Sequence, residues 1–382
     1  MIYLLIEFLD ELIFGVSEAA WPLIRDELGL TYVQIGLALS LPGILANFLE
    51  PLIYMLGDVW KRRTIILAGG CLFAFSLMLT GTSQSFTIFL LSYILYHPAS
   101  GAFVSLSQAS LMDAEPERRE QNIARWTFAG SLGVVAGPIL LGGAAYLGLG
   151  WRGMFIGLAL FSLVILAAAR KRISITGISP SKGPKLTGFL KQFSKVGSAL
   201  RQKYVLRWLI LLEFSDLMLD VLYGFLPLYF VDVLKFTPAQ AAFSVAIWSG
   251  VGLLGDYLLI PLLDRIRGLD YLRFSVWAEL ILFPLFLTAS VDWLRLVLLG
   301  LMGFFNSGWY AILKAKLFDS LPDSSGTALA LDNVSGMIGK LIPFGIGVAA
   351  QNLGLGPSMW LLLAGPIALL VGLPRRRLNT GP

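Results

Sequence analysis

The sequence predicts an all-α membrane protein, with twelve transmembrane helices in two parallel six-helix repeats. Three observations lead to that class. Hydrophobic residues make up 57% of the 382 positions and charged residues only 14%, too little charge for a water-soluble protein of this size. Apolar runs of about 20 residues, the length needed to cross a bilayer as a helix, recur from end to end. The two halves of the chain also match at one fixed offset. The ten-residue alternation of an outer-membrane barrel is missing.

The first six spans run over 2–24, 32–56, 64–82, 85–112, 123–147 and 151–169. The first reads IYLLIEFLDELIFGVSEAAWP, apolar enough to cross yet holding Glu7, Asp10, Glu11 and Glu18. At about 100° per residue these acids share a stripe roughly 100° wide. A carboxylate at the bilayer centre costs at least ~2.5–3.5 kcal/mol, so the stripe must face water, a partner or a ligand. Glu18 is near the helix end, where a stabilising pair is an ordinary role. The run lacks a basic leader and a small-residue cleavage site, so it does not read as a signal peptide. The fifth span holds GVVAGPILLGG, whose small residues let helices approach and whose proline bends them.

The polar segment 170–204, with SITGISPSKGPK, reads as a cytoplasmic linker between a bundle at 1–169 and a bundle at 205–382. Its later part, LTGFLKQFSKVGSALRQK, is expected as an amphipathic helix on the membrane surface. The second six spans run over 205–230, 238–263, 272–290, 293–318, 326–350 and 357–374. The seventh repeats the acidic stripe, with Glu213, Asp216 and Asp220 on the face that carries Tyr223. In the eleventh, Lys340 stands among apolar neighbours. Buried there, it requires a carboxylate, and the seventh-span acids are the expected counter-ions; snorkelling to the surface is the alternative.

The repeat is explicit. At an offset of 206, Glu7 meets Glu213, Asp10 meets Asp216, Asp26 meets Asp232, Thr31 meets Thr237 and Gln34 meets Gln240. Glu50 meets Asp256, Asp58 meets Asp264 and Asp113 meets Asp319, while Gly130 and Gly133 meet Gly336 and Gly339. An even number of helices lies between matched positions, so the halves are parallel repeats about an axis along the membrane normal. Both acidic helices are then expected to face one central crevice.

Basic residues set the orientation. With a cytoplasmic N-terminus, Lys61, Arg62, Arg63, Arg118, Arg119, Arg125 and the linker cations fall inside, against Arg25, Arg152, Lys235 and Arg295 outside. Both termini are therefore expected to be cytoplasmic, and the net charge of +5 is loop bias, not a nucleic-acid surface. One cysteine, Cys71, excludes an internal disulfide, and one histidine, His97, excludes a histidine-rich metal site. No cofactor or bound structural metal is expected.

The loop LGDVWKRR resembles the signature between the second and third helices of the major facilitator superfamily, with Asp58, Arg62 and Arg63 matching. Tyr54, Val59 and Lys61 depart from it. The second half keeps Asp264 and Arg265 in LLDRIRG. The glycine-proline run of the fifth span is similar to a motif of the superfamily's antiporters, with one extra residue before Gly142. The loop GLTYVQIG and the pair Glu50–Pro51 are similar to drug-efflux members. The resemblance implies the fold of that superfamily. It also implies charged latches at Asp58, Arg62, Arg63, Asp264 and Arg265. By position, Glu50 and Asp256, two turns inside the latch aspartates, are candidate gating or proton-carrying groups.

Together these readings predict a secondary active transporter, not an enzyme. It would move a small organic solute across the cytoplasmic membrane by alternating access, as a proton-coupled efflux carrier and a monomer in the lipid bilayer. The expected proton and substrate groups are Glu7, Asp10, Glu11, Glu18, Glu213, Asp216, Asp220, Tyr223 and Lys340, since carboxyl protonation responds to desolvation and to a substrate's charge. Carboxylates are also hard ligands, so divalent-cation transport is an alternative. A polytopic membrane enzyme or sensor is the alternative of a different class, but no catalytic set or soluble domain is visible.

Overall fold

The computed structural model describes residues 1–59, 61–114, 119–172, 201–320 and 336–374, and among these the chain is helical with no strand. The expected amphipathic helix at 186–203 lies almost wholly outside the described residues. Nine described helices are long and apolar enough to cross a membrane. The first and seventh predicted spans are not among the nine, and these are the segments that carry the acids. The eleventh is described only from residue 336 onward.

In the first half, α1 (Ile2–Ala19) and α2 (Trp21–Leu28) form the first span, broken at Ala20 just before Pro22. Then come α3 (Tyr32–Val59), α4 (Arg62–Thr82), α5 (Phe86–Ser100), α6 (Leu106–Ala114), α7 (Arg119–Tyr146) and α8 (Trp151–Arg172). In the second half, α9 (Lys203–Asp216) and α10 (Leu222–Asp232) form the seventh span. They are followed by α11 (Pro238–Leu263), α12 (Gly268–Thr288), α13 (Asp292–Asn306), α14 (Trp309–Asp319), α15 (Ile342–Leu353), α16 (Leu355–Met359) and α17 (Ala364–Gly372).

The repeat has a local physical cause at the start of α3 and α11. Thr31 N–H donates to Gln34 Oε1 at 2.9 Å and Gln34 N–H to Thr31 Oγ1 at 3.2 Å. Thr237 and Gln240 make the same reciprocal pair at 2.9 and 3.3 Å. The matched threonines and glutamines are thus capping boxes that start the second helix of each half.

Three spans depart from α geometry. The fourth passes through a π-turn at Gly101–Ser105 and the seventh through one at Leu217–Val221. The tenth breaks at Gly308, whose φ of 73° is left-handed. Such irregular turns collect where a helix serves a site.

Within the first half, α1 lies directly on α7. A Cβ at Gly133 would stand 2.6 Å from the Phe8 carbonyl oxygen, and one at Gly137 2.6 Å from the Val16 nitrogen. The glycine-proline run is therefore used for backbone-close packing. Between the halves, α3 meets α15, where a Cβ at Gly36 would stand 2.6 Å from the Pro343 carbonyl oxygen. On the opposite side α7 meets α11, with Gly142 against the Phe243 ring.

Candidate functional site

The acids of the first and seventh spans converge between the halves. Glu11 lies within electrostatic range of Asp10 and Asp220, and Glu18 within range of Asp220. Asp216 stands near Asp220 and Glu213. Tyr223 sits close to Glu18, Glu11 and Asp220, and its ring stacks on Phe14 at 5.6 Å between centroids. Asp220 itself is exposed. Two acidic stripes on separate helices are thus brought to one place by the packing of the two halves.

Each first-span acid has its own partners. Asp10 accepts from the Tyr96 hydroxyl at 2.9 Å and from Ser100 Oγ at 2.9–3.0 Å. Both donors lie on α5, directly ahead of the π-turn at Gly101. Glu7 lies beside Glu11 and Asp10 and pairs with Trp126 of α7. Glu18 is buried and accepts from Trp21 Nε1 at 3.2 Å, so it is tied to the break between α1 and α2. Glu18 also remains close to Asp220.

Lys340 reaches across the halves. Its Nζ donates to Asn47 Oδ1 at 3.1 Å and to the Gly43 carbonyl at 3.3 Å, both on α3. Glu50, Asp220, Asp216 and Glu213 surround it within electrostatic range. The lysine therefore stands among the acids, while its hydrogen bonds go to an amide and a carbonyl.

The remaining gating candidates are dispersed. Glu50 accepts from the Tyr54 hydroxyl at 3.0 Å. Asp256 accepts from the Gly308 N–H at 3.1 Å, fixing the left-handed break of the tenth span. Arg62 pairs with Asp113 at 2.7 Å. Arg63 donates to the Arg170 carbonyl at 2.6 Å and lines a flank groove of about 900 Å³ with Leu67, Cys71 and Lys171. Asp264 and Arg265 stand exposed at the end of α11. The Asp58 side chain lies outside the described residues.

At the end of the bundle away from the chain termini, a polar cluster ties the halves. Arg25 pairs with Asp232 and also with its repeat mate Asp26, and the Tyr32 hydroxyl donates to Asp232. Tyr32 N–H donates to Gln351 Oε1 at 3.1 Å, and Phe344 N–H to Ser40 Oγ at 3.0 Å. At the opposite end, Arg62–Asp113, Arg63 to Arg170, Arg207 to the Gly372 carbonyl and Arg273 to the Pro374 carbonyl each stay inside one half.

Sequence reasoning did not single out Tyr96, Ser100, Asn47 or Trp126 as partners of the charged groups. It paired Asp26 with Asp232 by offset without seeing that Arg25 joins them. Each of these contacts depends on helix rotation.

The fold and the facing acidic helices define a two-half membrane carrier. The family model for the Major Facilitator Superfamily matches residues 3–373, and the chain belongs to that family. It is 27% identical over 371 residues to a probable sulfoacetate transporter, SauU, of Cupriavidus necator, covering 89% of this chain and 84% of that protein. It is 26% identical over 164 residues to the drug efflux pump JefA of Mycobacterium tuberculosis, covering 42% of this chain and 30% of the pump. Among solved structures it is similar to the nucleoside transporter NupG (D323A mutant), with a TM-score of 0.79 at 14% identity over 97% of each chain. A bacterial homologue of the lysosomal transporter Spinster, inward-facing and unoccupied, gives 0.73 at 16% identity over 97% of this chain and 93% of that one. These structures share the fold.

Proposed function

We propose that this chain is a proton-coupled secondary transporter that exports a small cationic or strongly hydrogen-bonding organic solute across a bacterial cytoplasmic membrane. The observation that carries this is the approach of Glu11 and Glu18 to Asp220, with Asp10 beside Glu11, while Asp220 and Asp216 also stand near Lys340 between the halves. Carboxyls so placed change protonation when a cation binds or when water access switches ends. Alternating access then follows from rocking of the halves about that centre. With the termini cytoplasmic, the cluster of Arg25, Tyr32 and Asp232 closes the outer end.

The drug-pump relative and the efflux-like loop GLTYVQIG support export. The sulfoacetate carrier handles an anion by name, and Lys340 is the group here that would receive a carboxylate or sulfonate. Eight acids against one lysine in this region favour a cation. Divalent-cation transport would need several ligating groups converged on one point; among the described residues no such set of three occurs.

The test uses purified protein in liposomes with the dye ethidium as cationic probe and an imposed pH gradient. Dye movement driven by the gradient, abolished in the Asp10→Asn/Asp216→Asn double variant while the protein stays folded, is the expected result. Gradient-driven movement unchanged in that variant removes these acids from the mechanism.

A further inference from the structure

Glu279 lies on α12, away from the acidic stripes. It is fully buried, and neither carboxyl oxygen has a hydrogen-bond partner. The neighbouring polar group is Asn306, on α13, within hydrogen-bond reach. Asn306 is also buried, and its Oδ1 has no partner either. Three acceptor atoms without a partner, two on Glu279 and one on Asn306, thus lie buried on neighbouring side chains. An ionised, unpaired carboxylate there would carry a large desolvation cost.

The other end of Asn306 is committed. Its Nδ2 donates to the Met218 carbonyl at 3.1 Å. Met218 is in the π-turn Leu217–Val221 that carries Asp220. In an α-helix that carbonyl would accept from the N–H of Leu222. Here the Leu222 N–H is directed to the carbonyls of Leu217 and Leu219. The π-turn bypasses Met218, and Asn306 takes up the carbonyl it leaves over.

We propose that Glu279 is held as a neutral carboxylic acid that donates its proton to Asn306 Oδ1, and that this pair fixes the π-turn placing Asp220 between the halves. One added proton satisfies the unpartnered Asn306 oxygen and removes the buried charge. The amide plane then presents Nδ2 to the Met218 carbonyl in a set direction. Removing the π-turn would rotate the helix beyond it by about one residue, or about 100°. Asp220 and Tyr223 would turn relative to Glu213 and Asp216. Glu279 and Asn306 are positioning residues, and this role does not depend on which solute is carried.

The experiment has two parts, both free of a substrate. Infrared spectra of the purified protein at pH 8 should show the carbonyl stretch of a neutral carboxylic acid that disappears in Glu279→Gln. Absence of any Glu279→Gln difference in that band overturns the proposal. In a Cys71→Ser background, alkylation of an Asp220→Cys variant then reports the π-turn. Asn306→Leu should change its rate about tenfold, as expected when a buried hydrogen bond is lost. Glu279→Gln, whose amide still offers a donor, should leave it nearly unchanged, and Glu279→Leu should behave like Asn306→Leu. An unchanged rate in Asn306→Leu contradicts the role assigned to Asn306, and Glu279→Gln acting like Glu279→Leu contradicts the neutral donor. Should Glu279→Leu not fold, the Asn306→Leu and Glu279→Gln arms still decide.

Discussion

Arg25 on α2 pairs with Asp232 at the end of α10, so one ion pair joins the two halves at the end away from the termini. Both side chains are mostly shielded, at 16% and 17% exposure, and the Tyr32 hydroxyl donates to the same carboxylate. Breaking one partner of a shielded pair leaves the other charge uncompensated. Under the proposed rocking of the halves the pair forms only with this end closed, so its loss should favour the alternative state.

The first prediction concerns that balance. Arg25→Ala and Asp232→Asn should each shift the population toward the outward-open form by about tenfold, equivalent to ~1.4 kcal/mol. The reporter is a Phe14→Cys variant in a Cys71→Ser background, since Phe14 stacks on Tyr223 between the halves. Labelling by an impermeant thiol reagent from the outer face of intact cells should rise. Unchanged labelling would show that the cluster does not hold the outer end.

The second concerns the contact of α1 with α7. A Cβ at Gly137 would stand 2.6 Å from the Val16 nitrogen, a backbone atom that cannot swing aside. Gly137→Ala should therefore lower thermal stability in detergent by about 1–3 kcal/mol. Gly143→Ala, where a Cβ meets nothing within 4 Å, should be near neutral. Equal melting temperatures for the two variants would refute the close-packing role of the glycine-proline run.

Much of this architecture was legible because charge is rare inside a membrane. Glu7, Asp10, Glu11 and the repeat-related Glu213 and Asp216 could be read as facing inward from the cost of lipid exposure alone. The offset-206 pairs carried the topology, and two of them, Thr31–Gln34 and Thr237–Gln240, proved to be capping boxes. What could not be read were contacts that depend on how helices rotate against each other. Tyr96 and Ser100 lie 86 and 90 residues from Asp10, and Asn47 lies 293 residues from Lys340. The π-turn at Leu217–Val221 was equally hidden, because its stabilising partner Asn306 comes from another helix. Glu279 was readable by the same cost of a membrane acid, in WAELILF, but stood alone without a stripe.

The third prediction tests Lys340. Its hydrogen bonds run to α3, so Lys340→Ala and Asn47→Ala should be non-additive in a double-mutant cycle of thermal stability, with coupling of about 1 kcal/mol. Additive effects would mean that the lysine answers only to the acids around it.

The central claim is that carboxylates from the first and seventh helices share one water-filled crevice. Glu11→Cys and Asp220→Cys, each in a Cys71→Ser background, test it directly with a cationic, impermeant thiol reagent applied to inside-out membrane vesicles. Both positions should react from the cytoplasmic face and stay protected from the outer face while Arg25 and Asp232 are intact. If either position is inert from both faces, as a side chain packed against lipid would be, the shared crevice does not exist.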